Sequence, residues 1–259
     1  WIGTVAVPRS AKGEGRDIVY LVLEEPAALV WAANLAALEL HVPMWKSRRQ
    51  GEYGPADLMV FDLDPGAPAD MVDCCRVGGW LRDALAEEGL EAHPKTSGSK
   101  GLQLYVRLEP ARPWEEVRDR AHELARQIEK DHPKEVVSNM RRELRRGRVL
   151  IDWSQNHAAK TTVAPYSLRG RPHPTVSTPV AWDEVDDCVS SGEPERLVFE
   201  SADVLQRVGD HGDLFGPLLP SRSAAGTAKR RSPAAPSSAG RSAKATRAKG
   251  TRPARSENG

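Results

Sequence analysis

Two aspartates placed two residues apart are the clearest chemical feature of this sequence. Asp62 and Asp64 follow the apolar run 58–61 and precede Pro65 and Gly66, which end the predicted strand. Residues i and i+2 of a strand share one face, so both carboxylates point the same way. Their mutual repulsion is relieved by a divalent cation that prefers oxygen ligands, such as Mg²⁺ or Mn²⁺. The structural alternative is a pair of solvated acids ending an edge strand.

A third aspartate ends another apolar run. Residues 149–151 are Val, Leu and Ile, and Asp152 follows them. Asp62, Asp64 and Asp152 therefore form a candidate catalytic metal site. Two metal ions can lower the pKa of an attacking hydroxyl and stabilise a leaving phosphate oxygen, which is the chemistry of nucleotidyl transfer.

The segment 95–101 reads Lys-Thr-Ser-Gly-Ser-Lys-Gly between two predicted strands. Small residues let backbone N–H groups approach an anion, and Ser97 and Lys100 can add a hydroxyl and a positive charge. We interpret the segment as a phosphate-binding loop, although it lacks the Gly-Lys-Ser/Thr sequence at the position that a P-loop requires. A polar hairpin turn is the alternative.

Arg169 and Arg171 follow Asp152 along the chain. On an extended segment they would share a face and could bind a polyphosphate, or they could be ordinary charges on an edge strand. His41 lies among apolar residues, where a histidine is more often packed than functional.

Composition limits the class of protein. The chain has 259 residues, 39% of them hydrophobic, and a net charge of +1. Residues 221–259 carry ten Lys or Arg and one acid with little apolar bulk, so we predict a disordered basic tail. Three cysteines without a CxxC pair indicate a reducing compartment, and no apolar run is long enough for a membrane span. We expect a cytoplasmic protein.

The predicted elements alternate between strands and helices. Residues 113–131 form the clearest helix, since their apolar residues make one stripe. Residues 27–38 are predicted as a buried helix and residues 134–146, which include Arg145, as an arginine-rich helix. Residues 102–108 alternate like a half-buried strand with Gln103 on the open face. The pattern favours an α+β fold with mixed or antiparallel sheets flanked by helices.

Three motifs in order, at 60–66, 95–106 and 151–171, resemble the polymerase domain of bacterial DNA ligase D, within the archaeo-eukaryotic primase superfamily. The resemblance covers roughly residues 1–208 and implies a primase-polymerase core, which we place at 1–215. It implies addition of nucleotides to DNA ends or gaps in non-homologous end joining, from NTP or dNTP, with Mn²⁺ or Mg²⁺. Partners in trans would be Ku and a DNA ligase, and the protein would associate with the nucleoid.

The resemblance also implies roles for individual residues. Asp62, Asp64 and Asp152 would hold two metals, and the incoming nucleotide would contact the remaining site residues: His41, Ser97, Lys100, Gln103, Arg145, Arg169 and Arg171. Many relatives have histidine where this chain has Gln103, which cannot become cationic. The family domain normally begins upstream of Trp1, so we expect an N-terminal part of it to be missing.

Two other functions stay open at this point. Phe61 to Asp64 could be the nucleophile motif of a haloacid-dehalogenase-type phosphatase, with Asp186 and Asp187 as its later acidic pair, although Pro65 replaces the expected glycine. Alternatively, a catalytically impaired chain could bind DNA ends as an accessory protein, with the basic tail 221–259 supplying salt-sensitive affinity.

Overall fold

The fold is built on a five-stranded sheet. A computed structural model describes residues 1–9, 15–48 and 51–219; the predicted tail lies outside them. The strands of this sheet are β4 (Ala56–Pro65), β5 (Ala92–Thr96), β6 (Leu102–Arg112), β7 (Val136–Val137) and β8 (Val149–Asp152), and they lie in the order β5-β6-β4-β8-β7. All neighbours are antiparallel except β7 and β8, so the sheet is mixed as predicted.

Two small antiparallel sheets accompany it. One pairs β1 (Gly3–Val7) with β2 (Ile18–Val22), and the other pairs β3 (His41–Val42) with β9 (Thr162–Val163). The helices are α1 (Pro26–Asn34), α2 (Met71–Glu87), α3 (Trp114–Asp131), α4 (Trp182–Ser191) and α5 (Ser201–His211). No helix among the described residues is long and apolar enough to cross a membrane.

Helices α2 and α3 cover one face of the five-stranded sheet. Asp70 caps α2 by accepting a hydrogen bond from Val72 N (2.8 Å), while the Asp73 carboxylate accepts one from Asp70 N. The predicted stripe of α3 is buried against the core. Phe61 and Leu63 of β4 point into this core. Asp62 and Asp64 alternate with them and therefore face the other way.

Four local predictions are wrong. Residues 134–146 form β7 and a short 3₁₀ turn, Arg142–Leu144, because Val136 and Val137 pair with β8 and are buried. The predicted buried helix ends at Asn34 and leaves Val30 70% exposed. Gln103 is buried because both faces of β6 are covered at that point. Arg169 and Arg171 lie in a turn rather than a strand, with Arg171 N bonded to Arg169 O (2.9 Å).

Candidate active site

The register of the central sheet brings the three aspartates together. In the antiparallel pair β4–β8, Asp62 lies directly opposite Asp152, and Asp64 lies opposite Leu150. Residues directly opposite in adjacent strands point to the same face, with Cβ atoms roughly 5 Å apart. All three carboxylates therefore occupy one face at the end of β4.

Burial and like charge perturb two of these acids. Desolvation raises the pKa of Asp62 from 3.8 to about 7, and the Asp64 and Asp152 charges add to this rise, whereas a hydrogen bond from Gln103 opposes it. Desolvation also raises the pKa of Asp64, although the Lys100 charge opposes that rise. The site therefore concentrates negative charge that a bound cation would neutralise.

Asp152 is held by its own turn. Its Oδ1 accepts hydrogen bonds from Ser154 N (2.9 Å) and Ser154 Oγ (2.6 Å), and its Oδ2 accepts one from Gln155 Nε2 (2.9 Å). Lys160 Nζ donates to the same Ser154 hydroxyl (2.6 Å). These contacts fix the carboxylate at the start of the 3₁₀ turn Trp153–Gln155.

The donor set fits a hard divalent cation, since three carboxylates share one face of the sheet and like charge and burial raise the pKa values of Asp62 and Asp64. Within the part of the chain that the structure describes, no group of three His, Cys, Asp or Glu side chains is already arranged to hold a metal.

The loop after β5 closes over the end of β4. Ser97 Oγ accepts hydrogen bonds from Ser99 N (3.2 Å) and Gly101 N (3.1 Å), which folds the loop back on itself. A Cβ at Gly101 would lie 2.3 Å from Leu63 O, so only glycine allows this approach. Lys100 Nζ donates to Pro65 O (3.1 Å), which sets its charge beside Asp64.

The two downstream arginines contact this loop. The Arg169 guanidinium donates from Nη1 to Ser97 O (2.8 Å), and Arg171 donates to the Ser99 hydroxyl. Gly98 has a φ of +63°, and a Cβ there would lie 2.9 Å from the Arg169 side chain. Both arginines therefore contact the loop, although they do not lie on one strand.

Glu39 joins His41 to Arg169. One oxygen, Oε2, accepts from His41 Nε2 (3.1 Å), and the other, Oε1, accepts from Arg169 Nε (3.3 Å) and Gly170 N (2.8 Å). These contacts lower the pKa of Glu39, with the Gly170 hydrogen bond as the largest cause. His41 is therefore held in a polar cluster rather than packed in an apolar core.

Arg145 is placed differently from the other cations. It follows the 3₁₀ turn, its Nη2 donates to Met140 O (2.6 Å), and its buried Nε has no hydrogen-bond partner among the described residues. Gly66 lies against it, since a Cβ there would be 1.9 Å from Arg145 O. Its charge nevertheless acts on Asp64, where it opposes the rise in pKa that burial causes.

A cleft of about 210 Å³ opens between these groups. Seven of the ten predicted site residues line it: His41, Asp62, Asp64, Ser97, Lys100, Gln103 and Arg169. Asp152, Arg145 and Arg171 are not among its lining residues. The structure thus gathers most of the predicted set around one opening and leaves three members at its margin.

Sequence reasoning missed three residues that support this site: Glu39, Lys95 and Gln155. Lys95 is fully buried and donates from Nζ to Gln103 Oε1 (2.6 Å). Gln155 lies three residues after Asp152, a spacing that could have suggested its contact. Two partners of Glu39, Arg169 and Gly170, lie about 130 residues away, so no local signal indicated its contact with the arginine.

The structure does not favour the phosphatase alternative. Asp186 lies on α4 and forms an ion pair with Arg82 (3.2 Å). The strand that carries Asp62 lies between antiparallel neighbours, as in the predicted primase-type sheet.

Comparison with known proteins agrees with this geometry. Residues 1–215 match the family model described as LigD, primase-polymerase domain. The multifunctional non-homologous end joining protein LigD of Mycolicibacterium smegmatis is 44% identical over 199 residues, which cover 77% of this chain and 25% of that protein. The bifunctional LigD of Bacillus subtilis is 33% identical over 199 residues, covering 76% of this chain and 31% of that protein.

A solved structure is also similar. It is the polymerase domain of Mycobacterium tuberculosis ligase D in complex with DNA, with a TM-score of 0.75 and 40% identity, covering 84% of this chain and 74% of that one. The chain spans about a quarter to a third of the length of the curated relatives above. The predicted α+β fold is confirmed, and the chain belongs to the LigD primase-polymerase domain family.

Proposed function

We propose that this chain adds nucleotides to the 3′ end of DNA during non-homologous end joining. The observation that carries the proposal is the register of β4 and β8, which sets Asp152 opposite Asp62 beside the loop that holds Ser97 and Lys100. The M. tuberculosis domain was solved with DNA, which supports DNA ends or a primer–template as substrates here. That substrate implies action in the cytoplasm, at the nucleoid.

Asp62, Asp64 and Asp152 would hold two Mn²⁺ or Mg²⁺ ions. When bound, these ions lower the pKa of the primer 3′-hydroxyl and neutralise charge on the phosphates. Asp62 and Asp64 open directly into the cleft. Asp152 lies opposite Asp62 on the neighbouring strand, and its hydrogen bonds with Ser154 and Gln155 fix the direction of its carboxylate.

The cleft residues would bind the triphosphate of an NTP or dNTP. Small-molecule pockets usually enclose about 300–1,000 Å³, so a 210 Å³ cleft matches the phosphate end of a nucleotide rather than the whole molecule. Lys100, Arg169 and His41 line the cleft beside the acids. Arg171 contacts the loop from outside, and Arg145 would approach from beside Gly66.

The reaction is then a single displacement. The 3′-hydroxyl would give its proton to solvent water, and its oxygen would form a bond to the α-phosphorus. The bond from that phosphorus to the β-phosphate oxygen would break, so that pyrophosphate leaves. The cations of the cleft, Lys100 and Arg169, would stabilise the negative charge that develops on the phosphate oxygens.

Primer–template extension tests the proposal. We expect the full chain to extend a primer with Mn²⁺ or Mg²⁺, and Asp64→Ala to lose at least about 100-fold in rate. The matched control is Asp119→Ala, because Asp119 is 68% exposed and its only ion pair among the described residues is with its neighbour Arg118. Extension by Asp64→Ala at the wild-type rate would contradict the proposed metal site.

A DNA-end-binding assay run in parallel distinguishes the proposed enzyme from a non-catalytic accessory protein. A chain that binds DNA ends but extends no primer with any nucleotide would be an end-binding protein, and the enzymatic proposal would fail. Comparing ribonucleotides with deoxyribonucleotides in the same assay identifies the preferred substrate. Ku and a DNA ligase, added separately, would show whether the proposed partners stimulate joining.

A further inference from the structure

A continuous row of polar side chains crosses the central sheet. Lys95 on β5 lies directly opposite Gln103 on β6, Gln103 lies opposite Asp62 on β4, and Asp62 lies opposite Asp152 on β8. Because residues opposite each other share a face, all four side chains stand side by side. The row therefore connects a buried lysine to the proposed metal site.

The hydrogen bonds along the row run in one direction. Lys95 Nζ donates to Gln103 Oε1 (2.6 Å) and to Ser177 Oγ (2.6 Å), and Gln103 Nε2 donates to Asp62 Oδ1 (3.0 Å). Tyr105 Oη also donates to Gln103 Oε1 (3.3 Å). The amide oxygen of Gln103 thus faces two donors, and its N–H faces a carboxylate.

The orientation of Gln103 follows from the chemistry of its neighbours. A lysine ammonium has three donors and no acceptor, so it can meet only the amide oxygen. The hydroxyl of Ser177 donates to Thr96 O (2.8 Å), so it too must accept from Lys95. If the Gln103 amide were flipped, its N–H would face the Lys95 ammonium, which is also a donor, and its oxygen would face the Asp62 carboxylate, which is also an acceptor. Both hydrogen bonds would then be lost.

Lys95 does not line the cleft and is fully buried. Burial lowers the pKa of Lys95 to about 7, and the Asp62 charge opposes that fall. Retaining an amine at this depth costs folding free energy, which its hydrogen bonds to Gln103 and Ser177 offset. No substrate can reach Nζ, so its effect on the reaction must pass through Gln103.

We propose that Lys95 is a positioning residue that locks Gln103 with its N–H toward Asp62, so that Asp62 keeps a fixed direction for cation binding. The inference rests on the proposed function and assigns a role to the glutamine of this chain. Locked in this way, Gln103 acts as a permanent hydrogen-bond donor, and its oxygen cannot enter the coordination of a cation at Asp62.

The test measures Mn²⁺ binding by calorimetry on the full chain without nucleotide or DNA. Partners that orient a metal ligand typically contribute 10- to 100-fold in affinity or activity, so we expect Lys95→Met and Gln103→Leu each to weaken Mn²⁺ binding about 10-fold. The double variant should be no weaker than Gln103→Leu alone, because Lys95 acts only through Gln103. Lys46→Met is the matched control, since Lys46 is 55% exposed and pairs with Asp57.

Two outcomes would overturn the inference. One is Mn²⁺ affinity unchanged in Lys95→Met, and the other is a double variant about 100-fold weaker than wild type. If Lys95→Met does not fold, Ser177→Ala removes one of the two acceptors of Nζ, and it should weaken Mn²⁺ binding about threefold. Unchanged affinity in that folded variant would equally refute the role of Lys95.

Primer extension measured in parallel separates this inference from the proposed function. If wild type extends primers while Lys95→Met matches it in both Mn²⁺ affinity and rate, the inference alone fails. If the Mn²⁺ affinities follow the predicted pattern but wild type extends no primer, the proposed function fails and the role of Lys95 stands.

Discussion

Replacing Asp62 by asparagine should stabilise the metal-free protein while abolishing its activity. The folded state raises the pKa of Asp62 from 3.8 to about 7, chiefly by burial and by the adjacent Asp64 charge. A pKa that is about three units higher in the folded than in the unfolded state corresponds to a loss of about 4 kcal/mol in the free energy of unfolding at alkaline pH. Solvent in the cleft screens part of the repulsion, so we expect a gain of about 2 kcal/mol for Asp62→Asn.

The sign of the pH dependence follows from the direction of the pKa change. The unfolded chain releases this proton near pH 4, whereas the folded protein keeps it until about pH 7. Wild type therefore loses stability relative to Asp62→Asn as pH rises from about 4 to 7, and the difference is constant above that. Asparagine keeps an oxygen for the Gln103 hydrogen bond, so the row stays intact.

Thermal unfolding in EDTA between pH 5 and pH 8.5 measures this effect. A gain of about 2 kcal/mol predicts a Tm for Asp62→Asn roughly 4–8 °C above wild type at pH 8, with a smaller difference at pH 5. Asp119→Asn removes an exposed carboxylate and should leave Tm unchanged. Mn²⁺ in place of EDTA should raise the Tm of wild type and of Asp119→Asn, but not that of Asp62→Asn. A Tm difference that is absent at pH 8, or equal at both pH values, would refute the reasoning.

Three further perturbations test other parts of the site. Glu39→Gln removes the charge that holds Arg169, so KM for the nucleotide in primer extension should rise several-fold with little change in kcat; an unchanged KM would count against this contact. Gly98→Ala adds a Cβ at a backbone with φ of +63°, 2.8 Å from Ser177 N. It should therefore lower the free energy of unfolding, measured in urea, by at least about 1–2 kcal/mol. Gly79→Ala, with open space in helix α2, should instead stabilise by about 0.5–1 kcal/mol; equal effects would contradict the account of the loop. Deleting residues 221–259, with ten basic side chains, should weaken DNA binding and flatten its dependence on salt; unchanged binding would show that the tail makes no contact.

The acids were predictable because each ends an apolar strand. The run before Asp62 and the run before Asp152 both read as buried strands, and the structure has β4 and β8 at those positions. Which strands are neighbours was not predictable from periodicity, since β8 reaches β4 from nearly ninety residues further along the chain. Asp152 was grouped with Asp62 because both acids follow apolar runs, and the family resemblance implied the same group without giving the strand order.

Three of the four errors share a physical cause, since tertiary contacts override the local sequence pattern. Val136 and Val137 sit in a segment rich in good helix formers, yet pairing with β8 makes them a strand. The alternation around Gln103 predicts an open face, but Gln103 is buried there and accepts hydrogen bonds from Lys95 and Tyr105. Arg169 reads as part of a strand, whereas Glu39 holds it in a turn.

Anomalous diffraction at the manganese edge tests the central claim most directly. Crystals of the full chain grown with Mn²⁺ and a non-hydrolysable nucleoside triphosphate should show manganese bound by Asp62, Asp64 and Asp152 together, with the triphosphate against Lys100 and Arg169. Manganese located away from these carboxylates, or bound without Asp152, would contradict the account.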